Sequence, residues 1–180
     1  FSLLNALHKR SFGSYWFETG TPSYPVELLK RHDFKLKELN GIEVKSSVLN
    51  SIDASSTNPI PVIFQSGYLT IKGYKPRVKL YKLDFPNEEV KEGFLFYLLP
   101  FYTSVSENDT GFHIDCFVNE VESGQIEAFV ERLKIFFANV PYDLIKDTEN
   151  HYQNVLFILC NLCGLYTKAE YHTSNGRVDM

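Results

Sequence analysis

The sequence predicts a mainly helical α+β chain, and three observations carry that prediction. Leu69 and Ile71 alternate with Thr70 and Lys72, and Val78 and Leu80 alternate with Lys79 and Tyr81, around a turn-forming Gly73–Arg77. That period of two marks an antiparallel hairpin. Apolar residues recur at helical spacing in Val90, Phe94, Tyr97 and Leu98, and again in Ile126, Phe129, Val130, Leu133, Phe136 and Phe137. Near the C-terminus, a helical run closing at Gly164 is followed by a strand, a turn and a second strand over 165–180.

From the N-terminus, Ser2–Lys9 reads as a short helix with Leu3, Leu4 and Leu7 on one face, broken by Gly13 and Ser14. The aromatic segment Tyr15-Trp16-Phe17 follows, with Trp16 as a core anchor. Ser23–His32 is helical, with Pro25 tolerated in its first turn. Residues 33–58 are polar and irregular, with a short helix over Val48–Ile52. Pro59–Gln65 forms a short buried helix stopped by Gly67. Two short helices followed by a hairpin make the pattern of a winged helix.

Asn87 can cap the next helix, with Glu88 and Glu89 at its positive end and Pro100 closing it. Thr103–Thr110 reads as a linker loop. Phe112–Val121 and Gln125–Asn139 read as a helical hairpin joined at Ser123-Gly124, its apolar stripe a core surface. Asp147 or Thr148 caps a last helix running to Cys163.

Composition sets limits on function. The chain has 180 residues, 44% of them hydrophobic and 15% aromatic, which is enough for a packed core. A net charge of −4 argues against a surface that coats nucleic acid throughout, though not against a local basic patch. Cys116, Cys160 and Cys163 do not suggest a disulfide framework. The Cys160–Cys163 pair lies in an apolar helical run and reads as two small buried hydrophobes. The apolar runs are too short to span a bilayer, so no membrane partner and a cytoplasmic setting are expected. Neither phosphate-binding glycine motif is present, so no cofactor is expected on this chain itself. The five histidines show no ligand or nucleophile spacing.

Two groups carry candidate chemistry. Lys72, Lys75, Arg77 and Lys79, with Lys82 beside them, put basic charge on the hairpin. A wing of this kind can lie on a phosphate backbone, and edge lysines can equally serve to prevent strand aggregation. The preceding helix offers only Gln65 and Ser66 to a groove. The second group is Asp179, read as a catalytic and metal-binding carboxylate on the second strand after the last helix, with Glu149 as a further metal ligand from that helix. Helix, strand and acidic strand open a nuclease core in which carboxylates hold Mg²⁺ and activate water.

The segments Phe1–Leu7, Tyr15–Pro22, Gln65–Tyr74, Phe85–Val90 and Gly176–Asp179 resemble a family of bacterial proteins with an N-terminal AAA-ATPase-like domain and a C-terminal PD-(D/E)XK nuclease-like domain. The resemblance implies that residues 1–39 are the tail of the ATPase-like domain, 40–102 a winged-helix-like region, 103–146 a helical connector and 147–180 a truncated start of the nuclease-like domain. It makes Asp179 the first acidic position. With no initiator Met before Phe1 and no E-x-K strand after Asp179, the sequence reads as a catalytically incomplete piece of a longer parent. That parent is expected to use ATP and Mg²⁺ on nucleic acid, and the partners expected for this piece are the remainder of the parent and DNA. A non-enzymatic protein-interaction module and a winged-helix DNA-binding module are the alternative readings.

Overall fold

The computed structural model describes residues 7–8, 23–51, 58–138, 148–165, 171–173 and 176–178. The chain is a mostly helical α+β arrangement with a small three-stranded antiparallel sheet. It divides into two compact units, one of residues 1–34 and 38–94 and one of residues 35–37 and 95–180.

In the first unit, helix α1 (Ser23–Arg31) buries Pro25, Val26, Leu28 and Leu29. It ends on Asp33 in the left-handed region at φ +49°. The Asp33 and Phe34 amides donate back to Lys30 and Leu29. This closing motif usually carries glycine, and here an aspartate accepts the strain. Strand β1 (Ile42–Lys45) follows, then the single turn α2 (Ser46–Leu49). The sequence predicts no strand there and a helix at Val48–Ile52 instead. Val44 is the one buried residue of β1, so four residues carry too little alternation to be seen.

Helix α3 (Ile60–Gln65) buries Ile60, Pro61 and Ile63. Gly67, at φ +82°, ends it as expected, with the Gly67 and Tyr68 amides donating to Phe64 and Ile63. Strands β2 (Thr70–Lys75) and β3 (Leu80–Asp84) form the expected hairpin, the second beginning at Leu80 where the alternation begins at Val78. The sheet order is β1-β3-β2, with Leu83 opposite both Ile42 and Ile71. The turn is Pro76–Lys79, not Gly73–Arg77. The cause is a bulge: Ile71 faces Leu83 and Gly73 faces Lys82, so Lys72 is the extra residue. Ile71 is exposed on β2, and Val78 is exposed in the turn.

Helix α4 (Glu88–Tyr102) is capped by Asn87, whose side-chain oxygen accepts from the Val90 amide at 2.9 Å. Phe94 is fully buried and packs on Tyr68 and Phe85, with ring centroids 4.8 and 5.9 Å away. Pro100 was expected to close the helix but lies inside it. It removes one backbone donor near the end of the helix, while Leu99 and Tyr102 are buried and the Thr103 hydroxyl donates to the Leu99 carbonyl.

In the second unit, helix α5 (Glu107–Glu122) starts five residues before the Phe112 expected from the sequence. Ser106 caps it by accepting from the Asp109 amide and donating to its carboxylate, so the second half of the expected linker loop is helical. A turn at Ser123-Gly124 leads to α6 (Ile126–Ala138), giving the expected helical hairpin. Its core holds Phe117, Phe129 and Phe136 edge to face. The stripe is not wholly core: Ile126 is 58% and Val130 41% exposed.

Helix α7 (Thr148–Leu162) buries Val155, Phe157, Ile158 and Leu159 and closes at Gly164, φ +70°. Asn154 accepts from the backbone amide of Leu36 at 2.8 Å, across 118 residues of sequence. Cys160 and Cys163 are free and half-buried. Strands β4 (Tyr171–Thr173) and β5 (Gly176–Val178) pair antiparallel.

Among the described residues no helix is long and apolar enough to cross a membrane.

Candidate nucleic-acid interface and acidic site

The basic hairpin residues fall into two groups. Lys72, on the bulge, donates from Nζ to the Pro86 carbonyl at 2.7 Å. Lys75 pairs with Glu43 of β1 at 2.5 Å, across the intervening strand. Lys82 lies against Gly41, where an added Cβ would meet its side chain at 3.0 Å. Of these three, Lys75 ties β2 to β1 and Lys72 ties β2 to the segment after β3. Arg77 and Lys79 sit exposed in the hairpin turn, and neither forms an ion pair among the described residues. Lys79 is held in the left-handed region at φ +54°. A non-glycine residue held there is strained, by about 1–2 kcal/mol. The hairpin also exposes Ile71, Tyr74 and Val78, at 45%, 49% and 54%.

Helix α3 offers little to a DNA groove. Besides its buried residues, Gln65 is committed: its amide donates to the Leu49 carbonyl at 2.8 Å and ties α3 to α2. Ser66 remains exposed.

Of the acidic candidates, Asp179 lies outside the described residues. Glu149 is exposed in the first turn of α7, where its carboxylate accepts from Gln153 at 3.1 Å. Its position also suits the positive end of the helix. Among the described residues no three His, Cys, Asp or Glu side chains are placed to hold a metal ion. The described side chains therefore do not compose a metal site, and no metal-dependent step is derived from them.

A feature with no motif in the sequence lies along α5 and α6. A cavity of about 550 Å³ is lined by residues of the 104–106 segment, α5 and α6. Among them are His113, Glu120 and Arg132. Arg132 Nε donates to Glu120 Oε1 at 2.6 Å. Glu120 Oε2 and His113 Nδ1 are buried without a hydrogen-bond partner. The sequence signal was faint: an acid and a base twelve residues apart, either side of the Ser123-Gly124 turn.

Cys160 and Cys163 are not poised as nucleophiles. Burial raises the Cys160 thiol, and burial followed by the neighbouring Cys160 raises Cys163 from 9.0 to about 11.

No protein-family model matches the chain. No solved structure matches it either. A protein of Azotobacter chroococcum mcd 1, named "Uncharacterized protein in vnfD 5'region", is 33% identical over 194 residues. That match takes in 100% of this chain and 36% of the relative, so the chain spans little more than a third of the relative's length.

Proposed function

We propose that this chain is a segment of a longer ATPase- and nuclease-like protein that acts on nucleic acid with ATP and a divalent metal, and that residues 40–102 serve it as a winged-helix-like docking module. The winged-helix reading is supported by the order strand, helix, helix, hairpin within these residues and by a sheet ordered β1-β3-β2. The parent activity rests on the sequence resemblance, with Asp179 as the metal-binding carboxylate.

One observation carries the docking role. The helix that would enter a major groove buries Ile60, Pro61 and Ile63 and spends Gln65 on Leu49, while the hairpin exposes Ile71, Tyr74 and Val78. Direct base readout needs side chains that reach base edges. An exposed apolar and aromatic surface with a basic tip suits a protein partner, here the remainder of the parent.

The first experiment measures Mg²⁺- or Mn²⁺-dependent DNA cleavage by the full-length parent and by its Asp179→Ala variant, with ATP supplied. Cleavage lost in the variant supports the nuclease reading. No cleavage by either folded protein overturns it and leaves a non-enzymatic docking module.

A second reading, a DNA-binding winged helix, is favoured by the exposed Arg77 and Lys79. It requires DNA binding by this chain that weakens steeply with salt and is lost in Arg77→Glu/Lys79→Glu.

A further inference from the structure

We propose that the cavity between α5 and α6 binds a small zwitterion, an apolar α-amino acid, with its carboxylate on Arg132 and its ammonium on Glu120. The Arg132–Glu120 pair is the starting point. Glu120 has a side-chain exposure of 12% and Arg132 of 35%. An ion pair taken this far from water holds best when its remaining donors and acceptors are satisfied. This one is half-finished. Arg132 donates only through Nε, and nothing among the described residues accepts from its two Nη groups. Glu120 Oε2 is buried and unpartnered.

An open guanidinium fork calls for a planar carboxylate. An open carboxylate oxygen beside it calls for a charged donor. A molecule carrying both groups closes the pair into a ring of four alternating charges. His113 Nδ1, also unpartnered, can donate a further hydrogen bond to the ligand carboxylate. The apolar part of the ligand has Val105, Ile135 and Phe136 to pack against. The volume, about 550 Å³, lies within the range of small-molecule pockets and holds an amino acid with room for bridging water.

The test is calorimetric titration of this chain with leucine and phenylalanine, and with the two half-ligands of leucine, isoamylamine and isocaproate. Leucine or phenylalanine binds saturably, and each half-ligand binds at least about tenfold more weakly than leucine. Arg132→Lys keeps the charge on Glu120 but loses the fork, and weakens amino-acid binding by about tenfold. Isoamylamine binding as tightly as leucine overturns the proposal, since the cavity would then take any cation. So does leucine binding unchanged in Arg132→Lys, and so does the absence of saturation by either amino acid up to about 10 mM. The half-ligand series uses the unaltered chain, so it decides even where a variant fails to fold.

Discussion

The hairpin-bearing region and the α5–α6 hairpin treat their apolar residues differently. In the first, Val26, Leu29, Ile60, Ile63, Leu69, Leu83 and Phe94 are at most 2% exposed. Along α5 and α6 only Phe117 and Phe136 are buried among the large apolar residues, while Phe112, Ile126, Val130 and Ile135 are exposed. The first region combines a three-stranded sheet with helices α1 to α4, whose apolar residues share one core. A two-helix hairpin closes one seam and leaves its outer faces open, and here the seam also holds a partly polar cavity. Stability is therefore expected to concentrate in the first region, and adaptability in the second.

Truncating the first core gives the largest effect. Phe94→Ala removes a fully buried ring that packs on two others, and should cost about 3–5 kcal/mol in denaturant unfolding. A loss below about 1 kcal/mol would mean that this core is no tighter than the hairpin seam. Next comes Asn154→Ala, which strands the buried Leu36 amide and should cost about 1–3 kcal/mol. It shows how far the second unit depends on one long-range polar contact. Lys79→Gly relieves a left-handed residue and should stabilise by up to about 1 kcal/mol, read as a raised midpoint. No gain would place the left-handed strain of the hairpin turn elsewhere.

Ile126→Thr and Val130→Thr should each change stability by less than about 0.5 kcal/mol, because both side chains already meet water. A larger loss would show that the open face is covered in solution. Smallest near neutral pH is the Cys163 contribution. Its folded thiol titrates at about 11, above the ordinary 9.0, so its stabilising share is complete below pH 9.0 and is lost as pH rises through 11. Alkylation of folded Cys163 should stay slow at pH 8 and accelerate toward 11, while unfolded chain reacts readily.

Much of the fold was legible in the sequence where a local signal was strong. Asn87, Gly67, Gly124 and Gly164 marked helix ends through capping chemistry that acts within a few residues. Long apolar periods marked α4, α6 and α7. The failures have physical causes. A single bulge at Lys72 shifted the strand alternation and moved the turn, and nothing in Ile71-Lys72-Gly73 announces which residue will be extra. Pro100 looked like a terminator until burial of the last turn outweighed one lost hydrogen bond.

The candidate sites divide the same way. The basic residues of the wing were visible by count, but which of them are spent was not. Lys72 and Lys75 find partners, at Pro86 and Glu43, fourteen and thirty-two residues away, while Arg77 and Lys79 in the turn remain for a ligand. Gln65 is one of the two residues that its helix offers to a groove, and the fold uses it to hold Leu49. By itself, the sequence determined the α+β class, the hairpin and most helix ends, because caps, glycines and periodicity act through neighbouring residues. Only the tertiary structure decided the order of the sheet, the half-finished Glu120–Arg132 pair and the exposure of the α6 stripe. Each of these depends on what lies across a turn or across a sheet, and local chain chemistry carries no record of that distance.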